Sequence, residues 1–591
     1  MSRGLDPITL GVIWGGLQSI TVEVGTTVHR TAHSQQAREG QDFSVCLFDP
    51  AGRMVAQGPY SPGHMGAMSF AAKNALAAFP DDPLRAGDVV LFNSPHLGSG
   101  HFPDFFMIQP AFDTDGRLIG LAANILHHTD VGGMRPGSQA VEGVSDFYQE
   151  GLHIPPVKLW KGGAEQEGLL AIILANTRMA ESMLGDLRAQ RNSLRVGELR
   201  LMELVQRHGF EAVQAAMTEI MDRTEVKVRG AIAAIPDGVY PFEDFMDDYG
   251  PDTEPMRLAV TVTVRDDTVL IDFEGTGPQT ESGLNSYINY TRSYCYAAVK
   301  CLTDPDGAQN DGAFRPVRIE APEGCFLNPR PPAGGGPRAV FCYRIFDAVI
   351  GALAPALPGR VTAAGSHFAN PTFGGYDPRR QRRTVVYELV LSGTAARPDR
   401  DGCEAMSMAF NASNIPCESQ EANQPVLIER FELIRDSAGA GTFRGGTGIR
   451  RDMRFFIRNG KLTNNTERQR FAPWGLFGGQ PGQPGVTLLN PGGPGERPIH
   501  SKASDVFEYG DVVSFQQPGA GGYGPPWGRD PQAVLRDVLE DYVSIEGARR
   551  DYGVVIDPAT LTVDEPATTA ARDAMRTPGP PPTVTRRGPL W

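Results

Sequence analysis

The opening stretch of the chain carries apolar residues at helical spacing. They recur three or four positions apart, at Leu10, Ile13, Leu17 and Ile20. Asp6 and Pro7 come just before them and are typical of an N-cap and a first helical residue. The pattern predicts an amphipathic core helix, and it differs from the pattern of a secretory signal.

Strand-like runs broken by Gly and Pro fill most of the next 150 residues. Asp-Pro-Ala-Gly at 49–52 and Asp-Thr-Asp-Gly at 113–116 are turn sequences between apolar runs, which predicts hairpins or meanders. The alternation returns from Met256, where the apolar positions predict a hairpin that turns near Arg265–Thr268. A further β-like region extends from about residue 385 to 525.

Helical periodicity separates these β-like regions. It extends over 178–208 and ends at Gly209, a typical C′ glycine. A second helical stretch begins at Phe210. Shorter helical stretches are predicted at 287–303, 345–357 and 531–541. We expect the two long helices to pack lobes of the protein together.

These patterns predict an α+β fold that is multi-domain and β-rich, with mixed and antiparallel sheets and a few long helices packing between lobes. We divide the chain into four segments: an N-terminal metal-site domain at 1–225 that ends in the long helices, a middle α+β domain at 226–380, a C-terminal β-rich domain at 381–564 with a final helix, and a flexible tail at 565–591. The tail is rich in Pro, Thr and Arg and has too little apolar surface to order itself.

Composition narrows the classes of function. The 591 residues include 69 Gly and 48 Pro, which fits short elements joined by tight turns. The net charge of −14 disfavours nucleic acid as a partner, because an acidic chain repels phosphate backbones. Nowhere do about 18 apolar residues run together, so we expect no membrane span. The seven cysteines form no CxxC pair, which is typical of a reducing compartment and predicts a cytoplasmic protein.

Histidine is concentrated near the N-terminus. Eight of the 11 histidines lie within the first 153 residues, several of them beside carboxylates in turns rich in Gly and Pro. The densest segments are SPHLGSGHFPD at 94–104 and HHTDVGG at 127–133. Imidazole and carboxylate are natural ligands of a divalent metal such as Zn, Mn or Fe, and two or three of them with an open position make a catalytic site.

Local geometry selects candidate ligands from this group. Pro103 disfavours a helix, so His101 and Asp104 are expected to converge from a loop or a strand end. Asp42, at the start of the strand-like DFSVCLFD, is a further candidate carboxylate.

Alternation along a strand distinguishes the adjacent histidines His127 and His128 as candidate ligands. If LAANILHHTD is a strand, His128 and Asp130 share one face and His127 points to the other. The predicted metal ligands are therefore Asp42, His101, Asp104 and His128. His127, Asp130 and His64 are expected to orient the ligands or to contact the substrate.

Plainer interpretations stay open beside this one. A single histidine is most often a surface or hydrogen-bonded core residue, and Cys46, on the face of Asp42, fits a small buried hydrophobe better than a ligand. The glycine clusters near 439–448 and 519–524 resemble phosphate cradles only loosely, and the sequence has no GxxxxGK[ST] loop and no GxSxG elbow. Asp186 and Gln190, four residues apart on a helix, either face the site or form an ordinary surface pair.

A series of motifs follows a fixed order from about Asp6 to Val555. They are DPITLGVIWGGLQSI, AREGQDFSVCLFD, GHMGAM, GDVVLFNSPHLGSGHFPD, HHTDVGG, YQEGLHIPPVKL, LRAQR, NDGAFRPV, APEGCFLNP, FRGGTG, GDVVSFQQPGAGGYG and DYGVV. In this order they resemble the hydantoinase B/oxoprolinase family, which includes the β-type subunits of ATP-dependent N-methylhydantoinase and caprolactamase, with related subunits in acetone and acetophenone carboxylases. Two positions depart from the family pattern: Asn93-Ser94-Pro95 stands where many relatives read NDP, and Val45 stands where a cysteine usually follows DFS.

The resemblance implies an activity that needs a partner. In such systems a hydantoinase A-type ATPase subunit with an actin-like fold phosphorylates the carbonyl oxygen of a small cyclic amide, and the B-type subunit completes the hydrolysis. The resemblance also implies metal ligands from the DFS, HxPD and HH motifs, which correspond here to Asp42, His101, Asp104 and one of His127 and His128. We therefore expect an ATP-dependent cyclic-amide hydrolase of the hydantoinase, oxoprolinase or lactamase type, acting in a hetero-oligomer whose partner uses the ATP.

Two other functions fit the same sequence. A subunit of a ketone carboxylase of the acetone or acetophenone type would use the same metal for the attack of an enol on carbon dioxide. A non-catalytic scaffold would use its histidines to satisfy buried polar groups. Incorporation of bicarbonate separates the first from hydrolysis, and unchanged turnover after substitution of His101 and Asp104 would support the second.

Overall fold

The computed structural model describes residues 5–406, 408–410 and 412–576. Most of the predicted tail, residues 577–591, lies outside this range. Within it, helices and mostly antiparallel sheets alternate along the chain, which confirms the α+β, multi-domain, β-rich prediction.

The N-terminal part builds one large sheet and its helices. Its elements are α1 (Pro7–Thr31), α2 (Gln35–Arg38), β1 (Phe43–Phe48), β2 (Met54–Gln57), α3 (Met65–Ala77), β3 (Val89–Phe92), β4 (Asp104–Phe112), β5 (Leu118–His127), β6 (Val157–Lys161), β7 (Ala164–Glu165), α4 (Glu167–Ala175), α5 (Ala180–His208) and α6 (Phe210–Ile232). The strand order is β2-β1-β5-β4-β3-β6-β7, and all neighbours are antiparallel. As predicted, Asp6 caps α1 and Gly209 ends α5.

The middle part packs helices on a four-stranded sheet of order β11-β10-β9-β8. Its elements are β8 (Gly238–Met246), β9 (Met256–Arg265), β10 (Thr268–Asp272), α7 (Ile288–Thr303), α8 (Asp311–Phe314), β11 (Val317–Glu320), α9 (Ala339–Leu353), β12 (Phe368–Ala369) and β13 (Thr372–Asp377). The β9–β10 hairpin turns where the sequence predicted it, with Arg265 opposite Thr268. Strands β10 and β11 are parallel, which makes this sheet mixed.

The C-terminal part contains two larger antiparallel sheets, two two-stranded pairs and terminal helices. Its elements are β14 (Arg382–Tyr387), β15 (Val390–Leu391), α10 (Cys417–Asn423), β16 (Val426–Ile434), β17 (Gly448–Phe455), β18 (Arg458–Thr463), β19 (Val486–Leu489), β20 (Arg497–Pro498), β21 (Ser504–Phe507), β22 (Val512–Gln516), α11 (Pro531–Leu539), α12 (Ile545–Tyr552), β23 (Ile556–Asp557), β24 (Thr562–Val563) and α13 (Glu565–Met575). The sheet orders are β14-β13-β18-β21 and β16-β17-β22-β19-β20, and the two-stranded pairs are β12-β15 and β23-β24.

The predicted segment limits lie at three different kinds of position in the structure. Residue 225 lies within α6, and residue 380 lies in the turn between β13 and β14, which pair as a hairpin. The tail prediction began at residue 565, but the structure has α13 there, because Asp564 accepts the N–H of Ala567 as an N-cap and Thr568 is buried.

The glycine clusters near 439–448 and 519–524 pack backbone against backbone. Gly445 donates its N–H to Gly439 O at 3.0 Å, and Gly522 donates to Gln480 O at 3.0 Å. A phosphate cradle needs free N–H groups, and these are already paired. The clusters are therefore places where main chains approach too closely for a side chain, rather than nucleotide sites.

The two faces of the N-terminal sheet lie in different hydrophobic cores. Val45 and Leu47 of β1 pack with the apolar side of α1 and α5, whereas Cys46 and Phe48 belong to the core shared with α7 and α9. Helix α1 is the described helix that is long and apolar enough to span a membrane by length and composition alone, and its buried residues here pack against α5. The face of β1 that bears Cys46 also carries the candidate site.

Candidate metal centre

Three strands bring two carboxylates and one imidazole into a single row. Asp104 and His127 are directly opposite each other in the β4–β5 pair. Asp42 precedes Phe43, whose partner in β5 is Leu126, and its carbonyl accepts the N–H of His127 at 3.2 Å. Because residues opposite each other in an antiparallel pair project from the same face, the three side chains lie next to one another.

His101 completes the group from the turn before β4. Its Nε2 lies 2.9 Å from Asp104 Oδ1, and His127 Nδ1 lies 3.1 Å from the same oxygen. Asp42 Oδ2 is 4.0 Å from His127 Nδ1. His101, Asp104 and His127 offer ligand atoms that all lie within 4.8 Å of one another. The structure therefore brings the predicted Asp42, His101 and Asp104 together, with His127 as the second imidazole.

The donor set fits a divalent cation. The backbone carbonyl of Gly336 lies 2.7 Å from His101 Nδ1, so that nitrogen carries the proton and Nε2 has a free lone pair. His101 Nε2 is buried without a hydrogen bond although it faces Asp104 Oδ1. Two lone pairs at this distance repel unless a positive charge lies between them. A histidine that donates its other N–H to a carbonyl is also the usual arrangement around a metal.

The second oxygen of Asp104 is held by residues that the sequence did not single out. Asp104 Oδ2 accepts hydrogen bonds from Ser99 Oγ at 2.5 Å and from the Arg338 guanidinium at 2.8 Å. Arg338 is 1% exposed and lies over the ring of Tyr290, with its Cζ 3.7 Å from the ring centroid. These contacts turn Oδ1 toward the histidines and fix its position.

Burial sets the protonation of the cluster. It lowers the pKa of His101 to about 3 and that of His64 to about 4, so both imidazoles stay neutral near pH 7. Burial raises the pKa of Asp42 to about 6. Burial acts in the same direction on Asp104, but the neighbouring His101, His127 and Arg338 hold its pKa well below the usual range. Neutral imidazoles beside ionised carboxylates are the protonation states that a metal requires.

The structure places His128 on the other face of the sheet. Its Nε2 is 3.1 Å from Gln190 Oε1 of α5, and its ring packs against Phe105. His127 and His128 were correctly predicted to project from opposite faces. The metal site, however, was assigned to the face that His128 was expected to share with Asp130. Asp104, the partner of His127 across the sheet, determines which histidine faces the cluster. The sequence left open whether Gln190 faces the site or lies on the helix surface. In the structure Gln190 is buried and supports His128.

His64 lies at the margin of the cluster, whereas Asp130 supports the loop after β5. His64 Nε2 lies 3.8 Å from Asp104 Oδ2, at the margin of the cluster. Asp130 accepts N–H groups from Gly132, Gly137 and Arg178 together with the Arg178 guanidinium, so both of its oxygens hold the loop after β5. Asp186 likewise accepts the backbone N–H groups of His33 and Ser34. Cys46 is a core residue whose thiol pKa burial raises well above normal.

Tyr387 and Gln139 cover the remaining side of His127. The Tyr387 ring centroid is 4.8 Å from that of His127, and the Gln139 amide lies 3.1 Å from His127 Nε2. The amide can present its nitrogen or its oxygen, so this contact suits either tautomer of His127. Tyr387 comes from β14, far along the chain, and no spacing pattern in the sequence pointed to it.

Glu150 fixes the carbonyl that orients His101. It is 1% exposed, and its Oε1 accepts the N–H groups of Gly335 at 2.9 Å and Gly336 at 2.7 Å. Burial raises the pKa of Glu150 to about 8. The carboxyl group therefore carries a proton over much of the neutral range.

Replacing Glu150 with glutamine is expected to change how stability depends on pH. The folded-state pKa of Glu150 lies above its ordinary value of 4.5, so the wild type loses stability as pH rises from about 4.5 to about 8. Glutamine keeps the acceptor oxygen and cannot ionise. Across this range the variant should gain roughly a few kcal/mol relative to the wild type. Urea unfolding at both ends of the range measures this, and a constant difference would contradict it.

Comparison with known proteins assigns the chain to a family. The sequence model described as hydantoinase B/oxoprolinase matches residues 6–526. The caprolactamase subunit beta of Pseudomonas jessenii is 33% identical over 593 residues, which cover 96% of this chain and 99% of that protein. The crystal structure of the ATP-dependent caprolactamase from the same organism aligns with a TM-score of 0.91 at 32% identity, over 97% of this chain and 100% of that one.

A second solved structure shows the same fold at lower identity. The nucleotide-free acetone carboxylase aligns with a TM-score of 0.89 at 21% identity, over 97% of this chain and 83% of that chain. The family match over most of the sequence and the caprolactamase relative agree with the motif order and with the fold. The chain therefore belongs to the hydantoinase B/oxoprolinase family.

Proposed function

We propose that this chain is the metal-dependent subunit of an ATP-dependent cyclic-amide hydrolase, and that it hydrolyses a substrate phosphorylated by a hydantoinase A-type ATPase subunit. The observation that carries the proposal is that the buried His101, Asp104 and His127 offer ligand atoms within 4.8 Å of one another, with Asp42 Oδ2 4.0 Å from His127 Nδ1. The caprolactamase relative is named subunit beta, and the matching solved structure is named an ATP-dependent caprolactamase. These names support a hetero-oligomer that uses ATP.

The residues that would hold the metal are Asp42, His101, Asp104 and His127. A divalent cation bound there, with Zn, Mn and Fe as candidates, supplies a Lewis acid that lowers the pKa of an attacking water. Phosphorylation by the partner makes the amide oxygen a leaving group and its carbon electrophilic. Arg338 balances the negative charge of Asp104, and the burial of the cluster excludes bulk water from the reacting groups.

His64 is the candidate proton acceptor. Its Nδ1 lies 3.0 Å from Ser44 Oγ, whose own hydrogen is donated to Ser61 O, so Nδ1 carries the proton. Its Nε2 is then free to accept a proton on the side of Asp104. His64, His127 and Asp130 were expected to orient the ligands or to contact the substrate. This assignment gives His64 a role in proton transfer and leaves Asp130 as a support of its loop.

A cytoplasmic location is part of the proposal. All seven cysteines are free thiols, four of them buried, which supports a reducing compartment.

Removal of the metal tests the proposal. The chain is co-expressed with its ATPase partner, metal content is measured by mass spectrometry, and hydantoins, 5-oxoproline and lactams are screened for ATP-dependent ring opening. Chelation is expected to abolish ring opening, and one divalent metal should restore it. Full activity in metal-free protein would refute the metal's role.

The same assay decides between the proposed hydrolase and the two other functions. Labelled bicarbonate incorporated into a ketone substrate, without ring opening, would favour the carboxylase. Unchanged turnover after substitution of both His101 and Asp104 would favour a scaffold.

A further inference from the structure

A cleft lined by cations lies on the side of the molecule where β14 meets the start of α5. Its outer cavity, about 420 Å³, is lined by Arg178, Arg383 and Lys461 together with Met134, Pro136, Gly374, Gly375, Tyr376, Thr384 and Asn459. A neighbouring cavity of about 360 Å³ shares Arg178 and Arg383 and adds Arg382 and Glu181. The two cavities are therefore parts of one cleft, which we call the arginine cleft.

The charge of the cleft is opposite to that of the chain. The protein has a net charge of −14, yet none of the described residues that line the outer cavity is acidic. Arg178 is held in place by Asp130 at 2.8 Å, and Arg382 pairs with the exposed Glu181 at 3.2 Å. Arg383 and Lys461 have no ion pair within the described part of the chain. Two uncompensated cations in a concave site attract an anion, and a guanidinium suits the oxygens of a phosphate.

The cleft continues inward toward the metal cluster. A smaller cavity of about 140 Å³ shares His33, Met179, Ser182 and Arg382 with the cleft. It is also lined by Gln36, Glu39, Thr129 and Tyr387. Tyr387 packs on the ring of His127, and the carbonyl of Gln36 accepts the N–H of Asp42 at 3.0 Å. The inner wall of this cavity is thus the layer of residues that contacts the cluster directly.

We propose that the arginine cleft is the entrance for an anionic substrate, in which Arg383 and Lys461 bind the phosphate group of the activated cyclic amide before it passes Tyr387 to the cluster. This inference rests on the proposed function for the identity of the substrate. The cluster is buried, so its substrate needs a route, and the phosphate added by the partner is a group that this route can select. An unphosphorylated amide lacks the phosphate charge that Arg383 and Lys461 are proposed to bind.

The test compares the wild-type complex with a variant carrying Arg383→Gln and Lys461→Gln. Both residues are exposed, so the variant is expected to fold and to assemble with the ATPase partner. Because the activated intermediate is captured less well and is lost to water, the ATP consumed per product formed should rise about tenfold. The affinity for inorganic phosphate, measured by titration calorimetry on the same complex, should fall about tenfold.

The control is Arg458→Gln, an exposed cation on the same strand as Lys461 that does not line the cleft. It should match the wild type in both measurements. An unchanged ATP-to-product ratio and phosphate affinity in the double variant would overturn the inference, as would loss of assembly with the partner, which would make the cleft a docking face. Phosphate binding needs no turnover, so it tests the cleft even where the wild type opens no cyclic amide, a result that would refute the proposed function instead.

Discussion

If the proposed function holds, replacing His127 with alanine is expected to abolish metal binding and to lower ATP-dependent turnover by about a thousandfold or more. His127 Nδ1 lies between Asp104 Oδ1 and Asp42 Oδ2, so its loss removes the imidazole at the centre of the row. The two carboxylates would then lack the imidazole that lies beside both of them. Metal content after dialysis and the rate of ring opening by the complex measure the two effects.

The adjacent histidine provides a matched control. His128→Ala removes the same side chain one residue further along, where it contacts Gln190 and Phe105 on the opposite face of the sheet. It should keep the metal within about twofold of the wild-type content and cost roughly 1–3 kcal/mol of stability through the lost packing and hydrogen bond. Metal loss in His128→Ala with retention in His127→Ala would reverse the assignment.

His127 and His128 also show how much of the candidate site could be predicted from the sequence. His101, Asp104 and Asp42 could be selected because each stands at a turn or a strand end, where residue type and a nearby proline restrict the local geometry. The choice between His127 and His128 depends on the register of β5 against β4, a contact between strands that a single sequence does not contain. Alternation alone places the two histidines on opposite faces of β5, but it does not show which face carries the cluster.

The residues around the cluster could not be predicted from the sequence, for a related reason. Arg338 and Tyr387 come from the middle and C-terminal parts, more than 200 residues away from Asp104 in the chain, and each arrives through packing of whole domains. Helices α1, α5, α6, α7 and α11 were predicted, because periodicity and caps act within a few residues, whereas α3, α4, α12 and α13 were missed and α9 begins six residues before the predicted start. Residue 225 lies within α6 and residue 380 lies between the paired strands β13 and β14, because composition does not reveal that α6 continues or that these strands pair.

Replacing Arg344 with methionine is expected to lower the free energy of unfolding by about 3–5 kcal/mol. Arg344 is fully buried in α9, and its guanidinium lies 2.7 Å from Glu467 Oε2 and 3.2 Å from carboxylate oxygens of Asp244 and Asp247. These partners come from the end of β8 and from the segment after β18, so one side chain joins the middle and C-terminal parts. Removing only the cation leaves three buried carboxylates with less compensation.

The pH dependence of this loss follows from Glu467. Burial acts to raise its pKa, but Lys502 and Arg344 lower it to about 2, so the wild type gains stability above pH 4.5 that disappears as pH falls toward 2. Without Arg344 this gain shrinks, and the variant's deficit should be largest near neutral pH and smaller near about pH 4. Arg430→Met breaks an exposed pair with Glu432 and a 3.6 Å pair with Asp452. Because Arg450 still holds Asp452 at 2.7 Å, the variant should cost less than about 1 kcal/mol at any pH.

The result bears on the metal centre because α9 starts directly after Arg338. Arg344 anchors the helix whose preceding residue holds Asp104 Oδ2. If the network fixes that helix, Arg344→Met should lose metal more readily than Arg430→Met under conditions where both remain folded, as measured by metal release to a chelator. Equal release rates, or a stability loss below about 1 kcal/mol by urea unfolding, would show that the buried charges do not position the cluster.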